Sequence, residues 1–237
     1  TAVYGKWGIA EPNTTGIPNK VGFDDWMGYL NNDHAEFYYT DKLDHNYGIF
    51  SIEDNKDGQH GKYTHDLFTE KAKDFIKANK DNPFLLYLAY TVPHALYQVP
   101  MEERVPFIGE FMDDGNSDLD SVRSTYVAMI TRLDRHIGEL MTLLEYLKLE
   151  ENTLVIFSSD NGATLGRLKV DYFDSNGIYR GYKGELYEGG IRTPMIARWK
   201  SKITPGTVTK HISAFWDFLP TLSEIVGAEF QGGIDGI

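Results

Sequence analysis

Two polar residues that directly follow an apolar run have side chains suited to metal binding. Asp160 and Asn161 come after the apolar residues 153–157. Neighbouring carboxylate and amide oxygens suit a hard cation such as Ca²⁺ or Mg²⁺ better than zinc. Two ligands make only part of a coordination shell, and Asp-Asn-Gly is also a common turn sequence. The spacing alone therefore leaves both a metal site and a simple turn open.

Two further candidates could act on an anion. His94 ends the apolar run 84–92, where an imidazole could bind an anion or give a proton to a leaving group, or could simply be hydrogen-bonded. Lys183 lies in the glycine-rich segment 179–192, and glycines let backbone and a lysine approach an anion closely. The glycines of this segment lack the spacing of a P-loop, which argues against a nucleotide site.

The elements that must position these residues follow from hydrophobic spacing. Apolar residues three or four apart predict helices over 65–79 and 118–148. The runs 84–92 and 153–157 have the length of buried strands. Strand, helix, strand in this order predicts a crossover in a mainly parallel sheet, whose ligands gather beyond the carboxyl ends of the strands. His94 and the Asp160 segment should therefore share one rim.

The remaining chain is predicted with less regular structure. Residues 1–62 are rich in turn formers and should form loops and short strands. Residues 193–199 resemble a further strand, and 217–227 a short helix capped by Asp217. Four histidines in polar sequence share no metal-ligand spacing and are predicted to be solvated: His34, His45, His60 and His65.

Composition narrows the class of protein. The 237 residues carry 23 basic and 35 acidic side chains, a net charge of −12, which disfavours nucleic acid and anionic membrane surfaces as partners. The absence of cysteine excludes disulfides and thiolate metal sites. The longest apolar run has nine residues, short of the ~20 that span a bilayer, so no transmembrane helix is expected. One large α/β unit is the favoured architecture.

Five segments taken together resemble the sulfatase family of the alkaline-phosphatase-like fold, in both order and rough spacing. The likeness continues through WDFLPT at 216–221 and so covers nearly the whole chain. The five segments are GKWG at 5–8, GFD at 22–24, PH at 93–94, SDNG at 159–162 and KGELYEGGIRTP at 183–194.

The resemblance implies an α/β fold with a mainly parallel or mixed sheet flanked by helices. It also implies a sulfuric ester hydrolase that uses Ca²⁺, with Mg²⁺ possible, and a formylglycine nucleophile. By the same match Asp160 and Asn161 would be metal ligands, and Lys6, His94 and Lys183 would hold the sulfate and the nucleophile and assist departure of the alcohol. The implied partner is a small sulfate ester or a sulfated glycan, and the implied location is periplasmic or secreted. Oligomeric state is left open.

The sequence departs from the family pattern in two places. Gly8 stands where much of the family has a histidine, and no Cys/Ser-x-Pro-x-Arg motif is present. The resemblance places that motif before Thr1 and a small subdomain after Ile237. Residues 1–237 are therefore expected to be part of a single sulfatase catalytic domain, truncated at both ends and inactive in isolation.

Two other functions stay open on these residues. Sulfate and phosphate esters need similar cation and lysine clamps, so a phosphodiesterase or phosphonate hydrolase of the same fold is one alternative. The other is a non-catalytic relative that binds sulfated glycans, motivated by Gly8 and the missing nucleophile motif.

Overall fold

A computed structural model describes residues 1–112, 117–168, 171–229, 233 and 235–236. The chain divides into two compact units, Thr1–Ser201 and Lys202–Ile237. The larger unit contains both sheets and every candidate site residue. That residues 1–237 belong to one catalytic domain stays a prediction.

A five-stranded mixed sheet forms the centre of the larger unit. Its strand order is β4-β3-β2-β1-β5, with β1 parallel to both β2 and β5 and with antiparallel pairs β2–β3 and β3–β4. The mixed sheet and the short strands within residues 1–62 confirm the sequence predictions. The strands are β1 Ala2–Lys6, β2 Asp25–Tyr29, β3 Lys42–His45, β4 Gly48–Ser51 and β5 Leu86–Ala89.

Both long predicted helices are confirmed. Helix α1 spans Thr64–Ala78, the short α2 spans Met101–Arg104, and α3 spans Ser117–Tyr146. The apolar residues of α1 and α3 pack with those of the sheet in one core, where each fully buried large side chain contributes about 1.5–3 kcal/mol. The buried members of this core are Ala2, Tyr4, Met27, Tyr29, Ala35, Leu43, Ile52, Phe68, Ala72, Ile76, Leu140 and Leu144.

Strand β5 is less buried than its apolar sequence predicts. It covers only Leu86–Ala89, and Leu85 and Tyr87 are about half exposed, at 49% and 52%. The reason is the alternation of side chains along the strand, because Leu86 and Leu88 pack against the main core and Tyr87 points to the opposite face. The sequence shows an apolar run but not which face of the strand the core covers.

The sequence predicts a parallel crossover from β5 to the next strand, and the observed strand pairing shows that this prediction is wrong. Strand β6, Val155–Ser158, pairs antiparallel with β7, Met195–Arg198, and within the described ranges has no other strand partner. The chain between them includes the four-residue helix α4, Glu188–Ile191, and returns in the opposite direction, so β7 supplies the hydrogen bonds of β6. Val155 still packs against the main core.

The smaller unit contains the short helix predicted over 217–227. Helix α5 spans Phe218–Val226 and ends at Gly227, whose φ of +71° is left-handed. Asp217 does not cap α5 through its side chain. Its Oδ2 instead accepts a 2.7 Å hydrogen bond from the Ala214 N–H, which closes the preceding turn.

None of the helices in the described ranges is both long and apolar enough to cross a lipid bilayer.

Candidate functional site

Lys6 lies at the carboxyl end of β1. The chain continues beside β2, with the Trp7 N–H donating to the Tyr29 carbonyl at 2.9 Å and the Gly8 N–H to the Leu30 carbonyl at 3.1 Å. Because β1 is parallel to β2 and β5, the ends of all three strands meet at this edge. The fold therefore places Lys6 at the carboxyl edge of these three parallel strands.

The conformation of Gly8 explains why glycine is suited to this position. Its φ is +76°, and a Cβ there would lie 3.3 Å from the Lys6 Cε and 2.8 Å from the Asn32 Oδ1. The Lys6 side chain thus lies beside the space that a larger residue 8 would take. Asn32 is a neighbour of this site that the sequence did not signal.

His94 lies in the loop after β5 and is partly buried. Its backbone N–H donates to the Thr91 carbonyl at 2.8 Å. Its Nδ1 is 2.8 Å from the Ala95 carbonyl oxygen. Since a carbonyl only accepts, Nδ1 carries the proton in the neutral ring, and Nε2 is the nitrogen left for a ligand.

Asp160 and Asn161 follow β6 after one residue, Ser159. Asp160 is exposed, and its carboxylate has no hydrogen bond or ion pair with any residue that the structure describes. The Asn161 Nδ2 donates to the Gly162 carbonyl at 2.9 Å, which leaves the amide oxygen Oδ1 for another donor or a cation. Both side chains therefore offer an oxygen.

Backbone hydrogen bonds join the Lys183 loop to the segment that follows Asp160 and Asn161. The Lys183 N–H donates to the Ala163 carbonyl at 2.8 Å, and the Gly162 N–H to the Gly190 carbonyl at 2.9 Å. The two backbones touch, since a Cβ on Gly162 would lie only 1.9 Å from the Gly189 oxygen. The fold thus joins the backbone of the Lys183 loop to the residues that follow the predicted metal pair.

Asn176 is a second residue that sequence reasoning missed. Its Oδ1 accepts from the Ala163 N–H at 3.1 Å, and its Nδ2 donates to the Gly181 carbonyl at 2.7 Å. The Asn176 amide therefore links the segment that follows Asp160 and Asn161 to the loop that carries Lys183. Nothing in the local sequence distinguishes Asn176 from the other loop asparagines.

The loops after β5 and β6 also contact each other. A Cβ on Gly166 would lie 2.8 Å from the Tyr97 hydroxyl, and Tyr97 shares a buried cluster with Leu168. On β5 itself, burial and the Asp160 charge both raise the pKa of Tyr87. Asp160, Asn161 and Lys183 thus lie on joined loops that also contact the loop of His94, and Lys6 ends β1, the strand beside β5.

The residues fit a calcium site in chemistry but not in number. Asp160 and Asn161 supply hard oxygen ligands, whereas Ca²⁺ takes six to eight oxygens. In the described part of the chain, no group of three or more acidic or histidine side chains is placed to hold a metal ion. The pair is therefore suited to be one portion of a shell.

The prediction that His65 is solvated is wrong. His65 lies in the first turn of α1, is 1% exposed, and contacts the rings of Tyr38, Phe68 and Tyr90. Burial lowers the pKa of His65 to about 3, so the ring is neutral near pH 7. The flanking polar sequence misleads here because the helix turns this residue inward.

Comparison with known proteins gives the class to which this fold and site belong. The sulfatase family model matches residues 1–228. The chain belongs to the sulfatase family, and its mixed sheet flanked by helices is the alkaline-phosphatase-like fold of its structural neighbours.

Among its relatives, steryl-sulfatase of Rattus norvegicus is 34% identical over 162 residues, 67% of this chain and 26% of that protein. N-acetylgalactosamine-6-sulfatase of Canis lupus familiaris is 30% identical over 238 residues, 95% of this chain and 42% of that protein. The crystal structure of Ps i-CgsB in complex with k-i-k-neocarrahexaose matches with a TM-score of 0.78 and 28% identity, covering 98% of this chain and 51% of that one. The chain thus spans about a quarter to two fifths of these two curated relatives.

Proposed function

We propose that this chain carries part of the active site of a sulfuric ester hydrolase. The observation that supports this most directly is the 2.8 Å hydrogen bond from the Lys183 N–H to the Ala163 carbonyl. It joins the loop that carries Lys183 to the segment that follows Asp160 and Asn161. A cation together with a lysine could offset the charge of an anionic sulfate group.

The proposed roles follow from the chemistry of each side chain. Asp160 and Asn161 would hold Ca²⁺ or Mg²⁺, which when bound offsets the negative charge of the sulfate oxygens. Lys6 and Lys183 would bind those oxygens through their ammonium groups. His94 would bind the ester oxygen and protonate the leaving alcohol.

The hydrogen bond of the His94 ring defines which atom would give the proton. With Nδ1–H held by the Ala95 carbonyl, a second proton can be added only at Nε2. Nε2 is therefore the atom that would donate to the leaving alcohol.

The nucleophile expected by resemblance is a formylglycine, which supplies the attacking hydroxyl, and this chain has no Cys/Ser-x-Pro-x-Arg motif of its own. We therefore expect the isolated 237-residue chain to show no turnover.

The proposed substrate is a sulfate ester of a carbohydrate or an aryl alcohol. Relatives named N-acetylgalactosamine-6-sulfatase and the neocarrahexaose complex of a structural neighbour favour a sulfated glycan. A periplasmic or secreted location would suit such a substrate and stays a prediction.

The proposal is tested by turnover of an aryl sulfate and a sulfated monosaccharide by the full-length protein in the presence of Ca²⁺. Lys183→Ala and Asp160→Ala should each lower kcat/KM by about 100-fold or more, since the first removes a positive charge that would bind the sulfate and the second removes a ligand of the cation that would offset its charge. Both residues are exposed, so the melting temperature should hardly change. Lys80→Ala and Asp81→Ala, at exposed positions after α1, are the matched controls.

Parallel assays separate the alternatives. Turnover of the matching phosphate esters without turnover of sulfates would replace the proposal with a phosphoester hydrolase. Binding of sulfated sugars without any turnover would replace it with a binding protein. Wild-type activity in Lys183→Ala and Asp160→Ala would remove these residues from the site.

A further inference from the structure

The Tyr38 hydroxyl contacts backbone carbonyl oxygens of the loop that carries His94. This loop, residues 91–95, is called the His94 loop below. The Tyr38 hydroxyl donates to the His94 carbonyl at 3.0 Å and lies 3.4 Å from the Thr91 carbonyl. Tyr38 is fully buried, and burial raises the pKa of its phenol above the ordinary value, so it remains a donor.

His65 holds the other side of the same loop. Its Nε2 accepts the Thr91 N–H at 3.0 Å, and the Thr91 hydroxyl lies at the same distance. An imidazole can accept at Nε2 only when that nitrogen carries no proton. Because the buried His65 is neutral near pH 7, the Thr91 contact places its single proton on Nδ1.

These contacts act on the orientation of the His94 ring. The ring is held by its Nδ1–H on the Ala95 carbonyl, one residue beyond the carbonyl that Tyr38 binds. A shift of the backbone at His94 would move the Ala95 carbonyl relative to the ring and free Nδ1. The ring could then adopt the other tautomer, with its proton on Nε2 and no lone pair there.

We propose that Tyr38 and His65 are positioning residues, which clamp the backbone of the His94 loop so that His94 keeps its Nδ1–H on the Ala95 carbonyl and takes up its second proton at Nε2, the atom that would donate to the leaving alcohol. This inference rests on the proposed function for the role of His94 in turnover, but its structural part stands without it. Neither residue touches the substrate in this scheme, because both act on backbone atoms of the loop.

The chain offers a matched control for Tyr38. Tyr63 is buried beside it, with ring centroids 5.7 Å apart and the rings stacked, and its hydroxyl has no hydrogen-bond partner in the described structure. Tyr38→Phe and Tyr63→Phe therefore remove the same atom from neighbouring buried rings. Only the first removes a contact to the His94 loop.

The first test is the tautomer of His94, read from long-range ¹H–¹⁵N correlations in full-length protein labelled at histidine, with His94→Gln to assign the signal. The wild type and Tyr63→Phe should show the Nδ1–H form, and Tyr38→Phe a mixture that includes Nε2–H. A wild-type His94 in the Nε2–H form would overturn the proposal even if Tyr38→Phe failed to fold. Identical spectra for both variants would also overturn it.

The second test is the split between kcat and KM. Tyr38→Phe should lower kcat about tenfold or more with a smaller change in KM, because His94 acts on the leaving alcohol, while Tyr63→Phe should match the wild type. Equal kinetics in the two variants would refute the clamp. If His94→Gln leaves turnover unchanged while Tyr38→Phe still alters the tautomer, the proposed role of His94 is wrong and the clamp is right.

Discussion

At the scale of single residues, the candidate site depends on glycines that let backbones touch. A Cβ on Gly5 would lie 2.1 Å from the Ala89 carbonyl oxygen, and one on Gly28 would lie 1.7 Å from the Gly5 oxygen. These contacts set how closely β1 approaches its two neighbours at the position just before Lys6. The position of Lys6 therefore depends on Gly5 and Gly28, whose lack of a side chain permits these close contacts.

Gly5 and Gly22 allow this effect to be measured. Their φ values are nearly equal, +119° and +116°, but nothing lies within 4 Å of a Cβ on Gly22. Gly22→Ala should therefore report backbone strain alone, about 1–3 kcal/mol, whereas Gly5→Ala adds a clash with a backbone oxygen and should cost roughly 2 kcal/mol more. Urea unfolding of both variants provides the comparison, and equal losses would show that the β1–β5 contact yields easily.

At the scale of elements, hydrogen bonds from the side chain of Arg132 connect three helices. Arg132 of α3 makes two hydrogen bonds to the Asp66 carboxylate of α1, at 2.7 and 2.6 Å, and one to Glu103 of α2 at 2.6 Å. Burial alone would raise the pKa of Asp66, but hydrogen bonds from His136 and Arg132 outweigh it and lower that pKa to about 2. The charged form of Asp66 is thus favoured by folding.

This shift predicts a specific acid sensitivity. Because the pKa of Asp66 is lower in the folded state than its unfolded value of 3.8, its contribution is complete above about pH 4 and is lost as the pH falls toward 2. The contribution is on the order of 2 kcal/mol. Asp66→Asn should therefore lower the free energy of unfolding at pH 6 by at least that amount and flatten its decline between pH 4 and 2.

The control for this prediction lies on the same helix. Asp74 is exposed and 3.5 Å from the exposed Lys77, so Asp74→Asn should change stability by less than about 0.5 kcal/mol. Chemical denaturation at several pH values measures both variants. An equal effect of the two substitutions would mean that the Arg132 contacts contribute no more than a surface ion pair.

At the scale of the whole molecule, apolar groups on the β6–β7 sheet face solvent. Phe157 and Ile196 are cross-strand partners, and Ile196 is 62% exposed. In the described part of the chain, β5 and β6 each have one strand partner, so each leaves an edge with unpaired backbone groups. Such surfaces favour association.

We therefore expect the chain on its own to self-associate as its concentration rises. Ile196→Lys should reduce this association, because a lysine on an exposed strand face opposes edge-to-edge and face-to-face contact. Val208→Lys, at an apolar residue that is 90% exposed and outside any strand, is the control and should have little effect. Light scattering across a concentration series gives the outcome, and a monomer at all concentrations would contradict the expectation.

Local spacing in the sequence predicted much of the fold correctly. The 3–4 residue periodicity located α1 and α3 within a few residues, and the turn-rich composition of residues 1–62 predicted short strands. These features depend on neighbours close in the chain, which is why a pattern of residue types could reveal them.

The sequence could not reveal the pairing of β6 with β7 or the burial of His65. Val155 pairs with Arg198, 43 positions away, and His65 is enclosed by Tyr38 and Tyr90 from other segments. Neither contact leaves a local pattern of residue types.

The sequence by itself determined the family, through an ordered set of motifs, and with it the five candidate site residues. Only the tertiary structure decided how these residues are held: Asn176 bridging two loops, Gly8 beside Lys6, and Tyr38 on the His94 loop. The physical reason is that these contacts depend on how separate segments meet in space, as Tyr38 and His94 do across 56 positions of sequence. Their geometry is fixed by packing and hydrogen bonding of the whole fold rather than by the residue types at the site.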